Sequence, residues 1–193
     1  MFTRNNVRSK ITFEKDLVSD QTFTGLTVKM NTTNRTFDVA EGLGQAAAVS
    51  TLVFTHVGGF KDQKVVATMK YVSPSTNIDH EFGVLARVQT LDNSADEDYY
   101  YARVDDGVAK LTKVVAGTFT NLSTSVFPLP IDTSVTITLQ IVGNALTATF
   151  DADDVITTVV LSATDSDITE SGLCGFRTRS AAGWCSYIAV EEL

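Results

Sequence analysis

Apolar and polar side chains alternate with a period of two along most of this chain. Over residues 64–72, Val65, Ala67, Met69 and Tyr71 share one face. Over residues 81–89, Phe82, Val84, Ala86 and Val88 share a face, and Glu81, Arg87 and Gln89 oppose them. Over residues 135–142, Val135, Ile137, Leu139 and Ile141 point one way, and Thr136, Thr138 and Gln140 the other; Leu146, Ala148 and Phe150 repeat the pattern. One apolar and one polar face is what an antiparallel sheet with one side in water requires. Residues 41–48, a short Gly/Ala-rich stretch, are the best helix candidate and read equally well as a strand.

Turn chemistry separates the runs. Asp106-Gly107 lies between residues 99–105 and 108–116, and Gly143-Asn144 between 135–142 and 145–150. Both dipeptides supply the positive-φ positions of tight hairpins. Pro74, Pro128 and Pro130 fall between strand candidates, where a missing N–H costs nothing. Roughly a dozen short strands at close spacing predict an all-β, two-sheet antiparallel sandwich with little or no helix. No linker or repeat divides the chain, so residues 11–193 read as a single domain. Residues 1–10 are polar and basic against an acidic body. They read as a flexible arm that orders on a neighbouring subunit, or as a frayed terminus.

At 193 residues the chain is long enough to bury a full core without staples. The net charge of −8 argues against nucleic acid, which calls for a basic patch, and against anionic membranes. The N-terminal segment has no apolar run of the secretory type. No stretch approaches the roughly 20 apolar residues of a membrane span. The expected location is therefore the cytoplasm, a virion, or release without a signal peptide.

From residue 60 onward the order of features resembles the concanavalin A-like lectin/glucanase (laminin G-like) jelly-roll group. A strand pair at 65–71 and 82–88 leads into Tyr99-Tyr100-Tyr101-Ala102-Arg103-Val104, then Asp106-Gly107, Leu111-Thr112-Lys113, and Gly117 with Leu122 behind it. The 135–150 hairpin, Asp165 with Ile168, Gly172-Leu173-Cys174-Gly175-Phe176 and a final strand at 188–191 complete the likeness. Phe13, Leu26 and Phe37 match the group's opening segment more loosely. The resemblance implies a jelly roll and leaves function open, because that fold carries lectins, hydrolases, adhesion modules and virion proteins. As a short acidic β-protein with nothing enzymatic attached, the chain also resembles accessory virion proteins of tailed bacteriophages, such as head decoration or tail proteins.

Retaining glucanases of the group carry Glu-x-Asp-x-x-Glu on one strand, which sets two carboxylates about 5 Å apart. Here Glu14-Lys15-Asp16 is followed by Ser19 instead of the second Glu. No Gly-x-Ser-x-Gly elbow and no zinc spacing occurs around His56 and His80, so the chain is not expected to be an enzyme. If Tyr100, Ala102 and Val104 face the core, Tyr99, Tyr101 and Arg103 face outward in a row. Aromatic rings beside a guanidinium suit a sugar, and Arg87 and Lys110 would flank them. Equally, tyrosines favour strands and pack on cross-strand neighbours. Two acidic loops, Asp92, Asp96, Glu97 and Asp98, and Asp151, Asp153 and Asp154, offer oxygen ligands for Ca²⁺ or are solvated turns. Cys174 and Cys185 flank the 179–183 turn and would face each other for a disulfide if the turn centres near Arg179-Ser180; two thiols are the alternative.

Three functions follow. The first is a non-enzymatic structural or interaction protein, a virion accessory partnered by other capsid proteins or by its own copies. The second is a carbohydrate-binding module whose partner is a cell-surface glycan. The third, a glycoside hydrolase, is disfavoured by the missing carboxylate.

Overall fold

The computed structural model describes residues 7–11, 21–23, 26–30, 37–40, 43–46, 50–56, 60–71, 81–89, 97–130, 132–153, 158–179 and 183–193. Among the described residues there is no helix. The strands are β1 (Val7–Ile11), β2 (Gln21–Phe23), β3 (Leu26–Met30), β4 (Phe37–Ala40), β5 (Leu43–Ala46), β6 (Ser50–His56), β7 (Gln63–Tyr71), β8 (Glu81–Val88), β9 (Tyr99–Asp105), β10 (Val108–Val115), β11 (Thr118–Val126), β12 (Ser134–Val142), β13 (Ala145–Ala152), β14 (Val159–Thr164), β15 (Leu173–Arg179) and β16 (Gly183–Glu192). The part of the 41–48 segment that is described is β5, a strand.

The strands form two antiparallel sheets. The first runs β14-β13-β12-β7-β16-β5-β4, with β1 also paired to β16; the second runs β11-β10-β9-β8-β15-β6-β3-β2. This is the expected all-β sandwich. Residues 7–10, inside the segment read as an arm, belong to β1 and pair with the end of β16.

The alternation read from the sequence builds the core. Val65, Ala67 and Met69 of β7, Val135, Ile137, Leu139 and Ile141 of β12, and Leu146, Ala148 and Phe150 of β13 are all buried from the first sheet. Phe82, Val84, Ala86, Tyr100, Ala102, Val104, Ala109, Leu111 and Phe176 meet them from the second. Burying alternate residues of each sheet against the other is what fixes register, since a one-residue slip would turn each strand inside out. The hairpin turns are as expected: Asp106 and Gly107 sit at φ 48° and 76°, and Gly143 at φ 56°. A third turn, Ala116-Gly117 at φ 47° and 69°, joins β10 to β11.

Two expectations are corrected. Val88 does not share the core face of Phe82, Val84 and Ala86; it packs with Leu85 on the opposite side of the sheet. The cause is a bulge. Leu173 pairs with Val88 but Gly175 with Leu85, so two residues of β8 face the single Cys174, and Arg87 there takes φ 51°. Cys174 and Cys185 are not cross-strand partners either. β15 lies in the second sheet, opposite β8 and β6, whereas β16 lies in the first, so the chain between them changes sheet instead of closing a hairpin. Cys174 is buried in the main core, and the Cys185 side chain lies outside the described residues.

Candidate functional site: the outer face of the second sheet

With Tyr100, Ala102 and Val104 in the core, strand alternation puts Tyr99, Tyr101 and Arg103 on the outer face of β9, as expected. They are not open to solvent, however. Tyr99 and Tyr101 are buried and Arg103 is 7% exposed. Tyr99 and Tyr101 pack edge-to-face, with ring centroids 6.2 Å apart. With Leu85, Val88, Val114 and Leu173 they make a second apolar cluster. The tyrosine row is therefore the floor of this face and not a free platform.

The covering groups come from strands distant in sequence. Glu81, at the start of β8, is buried and bonds the Arg103 guanidinium. Its other oxygen stands 3.4 Å from Arg177 Nε on β15. Arg177 Nη1 donates to the Tyr99 hydroxyl at 2.6 Å, and the Tyr101 hydroxyl donates to the Arg177 carbonyl at 3.4 Å. Arg103 also pairs with Asp105 at 3.3 Å, and Lys110 with the same carboxylate at 2.8 Å. Over both arginines lies Phe119 of the edge strand β11. Its ring centroid is 5.3 Å from the Arg103 guanidinium carbon and 5.5 Å from that of Arg177. Phe119 is 41% exposed.

Electrostatically the cluster is closely balanced. Burial pushes the Tyr99 hydroxyl up to about 12, although Arg177 opposes it, and pushes Tyr101 well above its ordinary value. Burial by itself would lower Arg177, but its contacts with Tyr99, Tyr101 and Glu81 outweigh this and raise it. Of the buried polar atoms here, Arg103 Nε has no hydrogen-bond partner, while Glu81 Oε1 and Arg177 Nε face each other at 3.4 Å as an ion pair without hydrogen-bond geometry. Unpaired buried polar atoms are uncommon in folded proteins and mark a place to look for a ligand or water.

Lys110 lies where the sequence placed it, directly opposite Arg103 in the β9–β10 register. Arg87 does not flank the tyrosines. The bulge turns it to the end of the sandwich, where its fully buried guanidinium donates to the carbonyls of Lys61, Ile168 and Gly143 at 2.8, 2.8 and 2.7 Å. Burial lowers its pKa. Its role is to join segments, which a bulge position with several carbonyl acceptors serves well.

Among the described residues, the carboxylates of the two acidic loops do not gather into one cluster. Asp98 Oδ1 accepts the Ala116 N–H at 2.7 Å and so holds the β10–β11 turn; Asp151 Oδ1 accepts the Thr158 hydroxyl at 3.1 Å. Asp153 is exposed at the end of β13. Among the described residues no group of three or more His, Cys, Asp or Glu could hold a metal ion. Asp92, Asp96 and Asp154 lie outside the described residues, as do His80 and residues 12–20, which include Glu14, Asp16 and Ser19.

Glu81, Arg177 and Phe119 were not singled out from the sequence. The available signal was Phe119 itself, one aromatic between two threonines just after the Ala116-Gly117 turn, which the register places beside Val114 and hence at the end of the tyrosine row.

No protein-family model matches the sequence, and no curated protein does. Solved structures match over most of the chain. The carbohydrate-binding module CBM66 from Bacillus subtilis superposes with a TM-score of 0.61 at 16% identity, covering 86% of this chain and 92% of that one. The fold is the lectin-like jelly roll. Lectin II from Ulex europaeus shares this jelly roll with a TM-score of 0.62 at 10% identity, over 97% of this chain and 100% of that one. The CBM2 module of the evolved Dit of Lactobacillus casei BL23 phage J-1 shares it with a TM-score of 0.58 at 14% identity, over 91% and 93%.

Proposed function

We propose that this chain is a carbohydrate-binding module that works by recognition and not by hydrolysis. The observation that carries the reading is Phe119, a partly exposed ring on an edge strand. Beside it lie the guanidinium groups of Arg103 and Arg177, held in place by the buried Glu81 carboxylate. Sugar rings stack their C–H face on an aromatic, and planar carboxylate and guanidinium groups bond the hydroxyls. The jelly roll it shares with a carbohydrate-binding module and a plant lectin supports the same reading, and the absence of the Glu-x-Asp-x-x-Glu strand speaks against a glucanase. The test is a glycan array with the intact chain and with Phe119→Ala. The expected result is binding that weakens about tenfold in the variant, the worth of one stacked ring. A folded wild-type chain that binds no glycan overturns the reading.

A second reading is compatible with the first: a virion accessory protein that presents the module to a host glycan. The likeness to a module of a phage Dit favours it. Its partners would be other virion proteins or copies of itself, and its location the virion. Density-gradient fractionation of a source lysate tests this. Co-migration with a large particle supports it, and migration as a free 20.8 kDa species overturns it.

A further inference from the structure

We infer that this module takes an internal stretch of a neutral polysaccharide chain, laid lengthwise along the edge strand β11 from Phe119 to Val126. The inference rests on the carbohydrate-binding reading above. It names the ligand class for the same site and extends that site along the strand.

A bulge makes the row. Phe119 is opposite Val114 of β10, Asn121 opposite Thr112, Thr124 opposite Lys110 and Val126 opposite Val108. Leu111 pairs with Ser123 and Thr112 with Asn121, so Leu122 is the extra residue. Strict alternation from Phe119 would turn Val126, seven positions on, towards the core. The extra residue restores the phase: Leu122 packs on the core, and Phe119, Asn121, Thr124 and Val126 all face outward. All four are exposed, Val126 to 75%. At about 3.3 Å per residue the row is roughly 20 Å long, room for several sugar units. No further strand of the sheet borders it, because β11 is the edge.

The row itself carries no charge, on a chain whose net charge is −8. The charges beside it are matched among themselves. Glu81 bridges Arg103 and Arg177, Asp105 pairs with Arg103 and Lys110, and Glu97 adds its charge near Arg177. Three carboxylates serve three cations, so a charged ligand would have to break one pair to gain another. Sugar hydroxyls need no such exchange. The Thr112 hydroxyl donates to Asn121 Oδ1 at 3.0 Å, which orients the amide and leaves Nδ2 as a donor to the ligand. Thr124 adds a hydroxyl. Phe119 stacks one sugar ring, and Val126 meets the apolar C–H face of another. A single sugar unit reaches Phe119 or Val126 but not both, so only a chain uses the whole row.

The experiment titrates the intact chain with glucan, mannan and galactan oligosaccharides of one to six units, and with oligouronates as the charged comparison. The inference expects one neutral series to bind, with affinity rising at least tenfold from the shortest to the longest member and little affected by salt. Val126→Asp, at an exposed position, is expected to remove the gain from length while short oligosaccharides bind as before and the melting temperature holds. Asn121→Ala repeats the test in the middle of the row, with circular dichroism as the check on folding. A single sugar bound as tightly as the hexasaccharide, oligouronates bound more tightly than the neutral series, or a length dependence that survives Val126→Asp would overturn this inference and leave the carbohydrate reading standing. Binding to no glycan, with the protein folded, overturns both.

Discussion

Arg87 donates its Nη2 to the carbonyl oxygen of Gly143 at 2.7 Å, tying the bulge of the second sheet to the β12–β13 turn of the first. Asp62 completes the clamp: its Oδ1 accepts the Gly143 N–H at 2.8 Å and stands 3.5 Å from the same guanidinium. Asp62 is more than a third exposed, so the ion pair adds little, and the carbonyl bonds carry the effect. Arg87→Met keeps most of the buried stem and removes every donor. It is expected to cost about 3 kcal/mol, since bonds to a charged donor contribute about 1.5–3 kcal/mol each. Urea unfolding at unchanged slope measures this. A loss below about 1 kcal/mol would mean that water replaces the guanidinium without penalty.

Gly83 is a position that only glycine can fill. A Cβ there would stand 2.7 Å from the Arg103 Cα and 2.9 Å from the Ala102 carbonyl carbon, both backbone atoms that cannot swing aside. Gly83→Ala must therefore part β8 from β9. The expected cost is at or above the upper end of the roughly 1–3 kcal/mol range for overpacking. Low soluble yield, or a melting temperature well below wild type, is the expected readout. A wild-type melting curve would mean that the two strands lie farther apart than this.

Residue by residue, the legible part of the fold was the part with local causes. The period-two runs of β7, β12 and β13 and the turn dipeptides Asp106-Gly107 and Gly143-Asn144, the first with positive φ at both residues and the second at Gly143, each act through neighbours in sequence, so pattern alone was sufficient. The Arg87 bulge has no such signature: a single extra residue changes the phase of Val88 without changing composition. The sheet change between β15 and β16 is likewise a matter of topology. The candidate site was legible by half. Alternation put Tyr99, Tyr101 and Arg103 on the outer face, and the tight turn put Lys110 opposite Arg103. Their burial was not legible, because Glu81 and Arg177 arrive from 22 and 78 positions away.

The buried tyrosines make the protein vulnerable to base. Tyr99 and Tyr100 are raised by burial from 10.0 to about 12, and Tyr101 further still. A group whose pKa is raised on folding stabilises the folded state fully below its unfolded value, and that contribution is lost as pH rises through the folded value. Stability is therefore expected to fall from about pH 10 upward. Three of the five tyrosines should ionise only as the chain unfolds, so tyrosinate absorbance and far-ultraviolet dichroism change together. Reversible titration of all five near pH 10, with the dichroism unchanged, contradicts the burial of the row.

Asp165 gives the opposite dependence at low pH. Burial alone would push its carboxyl up, but Lys113 Nζ at 2.7 Å, the Asp167 N–H at 2.9 Å and the Tyr100 hydroxyl at 2.8 Å all favour the carboxylate. Together they hold it below its ordinary 3.8. A depressed pKa means that the carboxylate stabilises the fold above the unfolded value, and that this is lost as pH falls through the folded value. Wild type should therefore lose stability progressively as pH falls below about 4. Asp165→Asn, less stable at neutral pH, should show a flatter acid limb that converges on wild type at the lowest pH. The Tyr100 hydroxyl also accepts the Ile168 N–H at 3.3 Å, so Tyr100→Phe should weaken the same loop at all pH values. Urea midpoints measured across the acid range separate the two variants. An acid limb in Asp165→Asn as steep as in wild type would move the titrating group to another carboxylate.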